Sequence, residues 1–107
     1  MSELHQDIIK ELGILQFELE SAGLWADLAP SDEAFLSTQP FCCDLMSFSE
    51  WLQWIFIPSL MYLAETQKAL PQKSAILPMA EEAFTDLEGS LRGLFASLAR
   101  MDALLTA

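Results

Sequence analysis

The chain has 107 residues, 52% of them hydrophobic and 10% aromatic, which is enough apolar surface for one folded domain and excludes disorder as a global description. Sixteen acidic residues against five basic ones give a formal charge of -11, so bulk attraction to nucleic acid or to anionic lipid is disfavoured. The acidity is uneven: residues 1–50 hold ten acids and one lysine, whereas 51–107 hold six acids and four bases.

Leu4, Ile8, Leu12, Leu15, Leu19 and Ala22 recur in steps of three and four and predict a first helix docked along one stripe. Ser2 is its expected cap, Glu3 and Asp7 suit the positive end of its dipole, and Gly23 supplies the left-handed residue that ends it. From Gly23 to Ser47, Pro30, Pro40 and scattered Ser, Thr and Asp predict a long ordered connection with one helical turn from Ser31 to Leu36. Trp25, Leu28, Phe35, Leu36 and Phe41 are the side chains available to pack it.

Ser47 and Glu50 stand at capping-box spacing and open a second helix. Phe48, Trp51, Leu52, Ile55 and Phe56 share one face of it, while Trp54, Ile57, Leu60 and Met61 lie elsewhere around the axis, so the pattern predicts a nearly enclosed rod. Pro58 removes a backbone donor and crowds the carbonyl of Trp54, which predicts a kink costing about 3 kcal/mol relative to a straight helix. Leu70, Pro71 and Lys73 end the rod. Pro78 opens a third helix with Glu81 and Glu82 in its first turn, and Leu87, Leu91, Leu94, Leu98, Met101 and Leu105 carry the helical period onward. Thr85, Asp86, Gly89 and Gly93 favour a break around 85–90, with a single helix as the alternative. The expected architecture is all-α, a compact bundle of four or five helices in one domain, with a long ordered loop between the first two.

No secretory signal precedes this pattern, and the longest uncharged run, Trp51 to Ala64, is fourteen residues against the roughly 20 needed to span a bilayer. A cytoplasmic, non-membrane protein is expected. Cys42 and Cys43 are adjacent and read as reduced thiols, and with Asp44 and the single His5 they lack the spaced ligands of a zinc site. No metal and no cofactor is expected.

Catalytic chemistry has little to stand on. His5 reads as a solvated residue in a first turn, and the pairs Asp32-Glu33 and Glu81-Glu82 read as helix-start charges because neighbouring residues on a helix point apart. Gly13, Gly23, Gly89 and Gly93 are too scattered for a phosphate loop. Asp102 reads as a packing or capping acid, or as a buried carboxylate of raised pKa. The richer feature is the aromatic set Trp25, Phe35, Phe41, Phe48, Trp51 and Trp54 beside the polar trio Thr38, Gln39 and Gln53. Such a set most often forms a core that anchors a loop, and its alternative is a pocket or partner groove. A mean hydropathy of +0.29 despite the charge favours an uncovered apolar face.

The run Ser37-Thr38-Gln39-Pro40-Phe41, then Asp44, Glu50-Trp51-Leu52-Gln53-Trp54 and Ile57-Pro58, resembles the signature of the YqcC-like family of small bacterial proteins. Leu70-Pro71, Ile76, Pro78, Glu81-Glu82 and Met101-Asp102-Ala103-Leu104-Leu105 continue the resemblance. It implies an all-α bundle in a bacterial cytoplasm and no catalytic residues. Its members are often encoded beside a tRNA pseudouridine synthase, which implies an accessory role near tRNA modification. Where relatives tend to carry a basic residue after the Ile-Pro pair, this chain has Ser59 and Leu60, which argues against an anionic partner there.

The expected function is therefore a non-enzymatic interaction module that binds a protein partner or itself, with Trp25, Thr38, Gln39, Phe41, Trp51, Gln53 and Trp54 as candidate contact residues. The alternative is a small-molecule or acyl-chain binder with a pocket under the loop from Thr38 to Phe41. Direct nucleic-acid binding is not expected.

Overall fold

The computed structural model describes residues 2–39, 41, 45–85 and 91–106. Helix α1 spans Glu3–Ser21 and starts where sequence places it, with the Ser2 hydroxyl accepting the His5 N–H at 3.1 Å. It ends at Gly23, whose φ of 73° lets Leu24 N–H reach the Leu19 carbonyl at 2.9 Å and Gly23 N–H reach that of Glu20 at 3.1 Å. This is a Schellman closure, and only glycine takes that backbone conformation without a Cβ penalty. Ile8, Leu12, Leu15 and Leu19 are buried, whereas the predicted ends of the stripe, Leu4 and Ala22, are exposed.

Helix α2 is one rod made of α-helical Phe48–Trp51, π-helical Leu52–Phe56 and α-helical Ile57–Glu65. The capping box is complete, with Glu50 N–H on the Ser47 hydroxyl and Ser47 N–H on the Glu50 carboxylate. The expected effect of Pro58 takes the form of a π turn: Ile57 N–H bonds the Leu52 carbonyl, five residues back. The wider turn relieves the crowding that the proline ring imposes on the carbonyl of Trp54. The rod stops at Glu65, before Leu70, because Gln67 adopts φ 54° and a second Schellman closure forms, with Lys68 N–H on the Leu63 carbonyl at 2.9 Å. Nor is it nearly enclosed: Leu52, Gln53, Ile57, Leu60 and Ala64 are buried, but Trp51, Trp54, Ile55 and Phe56 are half-buried and Tyr62 is exposed.

Helix α3 spans Ile76–Ala83 and α4 spans Arg92–Thr106, so among the described residues the C-terminal pattern is two helices and the total is four. The residues of the expected break at 86–90 lie outside the described residues, as do Pro40, Cys42, Cys43 and Asp44. Helix α3 begins two residues before Pro78, at Ile76, for a reason outside its own sequence. Asp102 of α4 accepts Ile76 N–H and Leu77 N–H at 2.9 Å each, together with the Ser74 hydroxyl. Pro78 has no N–H to satisfy, so Asp102 serves the two free donors of the first helical residues.

Helix α1 lies between α2 and α4, and both run antiparallel to it. Against α2, His5 meets Lys68 and Ala26 meets Gln53; against α4, Glu11 meets Arg100, and a Cβ on Gly93 would stand 2.2 Å from Glu18 Oε1. One continuous cluster draws buried residues from all four helices, from Ile8 to Leu105. The connection after α1 crosses the surface as a strap with a 3-10 turn at Asp32–Leu36. Ala34 and Met46 are pinned under it against Trp51 and Ile55. Leu28 and Leu36, expected to pack it, are 83% and 78% exposed. Asp32 and Glu33 are also exposed, so this stretch of strap shows both apolar and acidic side chains to water.

Candidate functional site

The π turn sets the directions of the side chains that matter. Within it, Gln53 points back to the strap, where Oε1 accepts Ala26 N–H at 2.7 Å and Nε2 donates to the Ala26 carbonyl at 2.8 Å. This two-bond clip imitates a strand pairing and ties the strap to the rod. Gln53 is thus buried and fully engaged. Next to it, Trp54 Nε1 is buried with no hydrogen-bond partner among the described residues, a cost of about 1–3 kcal/mol for the donor it leaves unpaired. Trp25, Gln53, Trp54, Ile57 and Pro58 line an open groove of about 480 Å³ with Gln16, Ala26 and Asp27.

On another face of the rod the rings form a network. Phe41 of the strap meets Trp51 edge-on with centroids 4.8 Å apart and Phe48 at 6.0 Å. Phe48 stacks on Trp51 at 5.7 Å, Trp51 meets Phe56 at 5.4 Å, and Phe48 meets Phe84 at the end of α3 at 5.9 Å. Phe41 has φ 57°, a conformation costing an L-residue about 1–2 kcal/mol, and its two edge-on pairs offset a similar amount. Beside this network Phe41, Met46, Ser47, Phe48, Met79, Glu82 and Ala83 line a half-open cavity of about 310 Å³.

The candidate residues therefore separate. Phe41 and Trp51 share the ring network, Trp25, Gln53 and Trp54 share the groove, and Thr38 and Gln39 are exposed and line neither. Phe35, the remaining ring of the expected set, is also exposed. Phe56, Phe84, Met46, Met79 and Glu82, which complete the ring network and the cavity, were not among the candidates.

Sequence reasoning also missed a buried polar network between α1 and α4. The Glu11 carboxylate accepts the Ser97 hydroxyl at 2.7 Å, Arg100 Nε at 2.9 Å and Arg100 Nη2 at 3.2 Å. The Glu11 side chain is 7% exposed and that of Arg100 is 51% exposed. Hydrogen bonding to Glu11 holds the Arg100 guanidinium above the ordinary arginine value. A detectable signal was present: Glu11 interrupts the apolar stripe between Ile8 and Leu15. A second open groove, about 490 Å³, is lined by this pair with Asp7, Lys10, Ile14, Ala103 and Leu104.

His5 is not the solvated residue expected. Its Nε2 donates to the Lys68 carbonyl at 2.9 Å and its Nδ1 pairs with the Ser2 hydroxyl, so the ring ties the start of α1 to the chain after α2. Asp102 is the capping acid of the two readings offered. Among the described residues no cluster of three or more metal-ligating side chains is present, and no helix is long and apolar enough to cross a membrane.

Comparison with known proteins places this geometry. Residues 7–104 match the DUF446 family, described as tRNA pseudouridine synthase C. An uncharacterized protein of Haemophilus influenzae is 47% identical over 85 residues, which are 77% of this chain and 80% of that protein. The uncharacterized protein YqcC of Escherichia coli is 33% identical over 100 residues, covering 94% of this chain and 92% of YqcC. The tRNA pseudouridine synthase C of Pectobacterium carotovorum is 43% identical over 54 residues, which are 50% of this chain and 14% of that protein. The solution NMR structure of Escherichia coli YqcC superposes with a TM-score of 0.85 at 31% identity, over 98% of this chain and 90% of that one. With the family pattern matched from the first helix to the last and the helical fold shared, the chain belongs to the YqcC-like family, DUF446.

Proposed function

We propose that this protein is a non-enzymatic helical docking module, and that its partner is a tRNA pseudouridine synthase. The observation that carries the proposal is the segmental match to a much longer protein of that name, in which the shared part is 14% of the length. A segment that occurs within one synthase chain has reason to meet a synthase when it occurs as a separate chain. The acidic surface favours contact with the enzyme over contact with its RNA, since phosphates would be repelled. The ring network and strap supply the rigid apolar anchors that protein interfaces use at their centres. Sedimentation of the purified chain with the tRNA pseudouridine synthase C of the same genome tests the pairing. A co-sedimenting complex supports it, and independent sedimentation at concentrations of about 100 μM removes it. A small molecule retained in native mass spectra of the free chain would favour the ligand-binding alternative.

A further inference from the structure

We propose that the 310 Å³ cavity between strap and α3 receives an arginine or lysine side chain from a basic, apolar segment of the partner protein. The inference rests on the docking reading and adds the place and the chemistry of the contact. Size is the first argument. At about 310 Å³ the cavity admits one or two side chains, and it lies at the lower end of the roughly 300 to 1,000 Å³ of small-molecule sites. Wall chemistry is the second. Phe41 and Phe48 line it with aromatic rings, and an aromatic ring attracts a cation. Met46 and Met79 are flexible and polarizable and fit an alkyl stem, Ala83 leaves room for it, and the exposed Glu82 offers a carboxylate at the rim.

Charge complementarity selects the occupant. Between Lys10 and Lys68 the chain has no lysine or arginine and nine acids, and that stretch contains the whole strap and the start of α2. A second copy of the chain would bring the same acidic surface and be repelled, and a phosphate group would meet Glu82. The α1–α4 groove is a poorer match, because Asp7 and Glu11 there already oppose Lys10 and Arg100.

The test titrates the ¹⁵N-labelled full chain with acetyl-Leu-Arg-Leu-amide and, separately, with the same peptide carrying citrulline, which keeps the shape of arginine and removes its charge. The expected result is saturable shifts at Phe41, Met46, Phe48, Met79, Glu82 and Ala83 with Kd about 1 mM, weakened about fivefold by citrulline or by Glu82→Gln. Glu65→Gln, a change elsewhere on the acidic surface, is expected to leave the affinity unchanged. Equal binding of both peptides, shifts centred elsewhere, or no shifts would overturn the proposal. A synthase that binds wild type and Glu82→Gln equally would also overturn it and leave docking standing. Peptide binding at these residues without any synthase complex would support this site and remove the synthase as partner.

Discussion

Glu11 and Arg100 form an ion pair whose two ends live in different media, and that asymmetry has measurable consequences. Arg100 is half in water, so replacing Glu11 by leucine leaves a solvated cation and an apolar residue in an apolar stripe, and the main loss is the acceptor of the buried Ser97 hydroxyl, at an expected cost of about 1 kcal/mol. Replacing Arg100 by methionine strands a buried carboxylate on Ser97 alone, at an expected cost of about 3 kcal/mol. Urea unfolding of the two variants checks the order, and equal losses would contradict the account. Because Arg100 sits above the ordinary arginine value, its contribution is present at every pH below that value and is lost only as pH rises through the folded one. It adds no pH dependence near neutrality. Gln53 makes a second residue-scale case. Gln53→Met keeps bulk but leaves both backbone groups of Ala26 without their partner, so stability is expected to fall by about 2 kcal/mol, with faster amide exchange at Ala26. Unchanged exchange there would mean that the clip does not hold the strap.

At the scale of elements, caps decide where helices begin and end, and two of them come from unusual places. Asp102→Ala removes an N-terminal cap supplied by another helix and is expected to cost about 1–2 kcal/mol, with exchange accelerated at Ile76 and Leu77. Gln67 holds a left-handed conformation that glycine adopts freely, so Gln67→Gly is expected to stabilise the fold by about 0.5–1 kcal/mol in thermal unfolding. The same comparison shows what could be read in advance. Ser2, Gly23, Ser47 and Glu50 act within one or two turns of the chain, and each does what its type and spacing imply. Gln67 and Asp102 do not, since a glutamine carries no turn signal and a cap 26 residues from the helix start has no local pattern. Pro58 lies between these cases: its disturbance was legible, but its form, a π turn that aims Gln53 at the strap, depends on tertiary contacts.

On the scale of the whole molecule, the four helices and their shared core follow from apolar periodicity, whereas the division of the aromatic set follows from how the strap crosses α2. Rings placed within thirty residues of one another went to two sides of the rod, since Trp51 and Trp54 point apart by helical period and the strap brings Phe41 to the first and Trp25 beside the second. One face keeps a groove beside Trp25 and Trp54, and the other keeps the ring network and its cavity. Asp27, Asp32 and Glu33 make the exposed strap acidic, so a partner of opposite charge would associate with it faster, and such association weakens as salt rises. The most direct test mixes the full chain with the tRNA pseudouridine synthase C of the same genome and measures mass by light scattering across salt concentrations. A complex of defined stoichiometry, with Kd below about 10 μM at low salt and weaker at high salt, is expected. Two unaltered masses at every salt concentration would contradict the docking account.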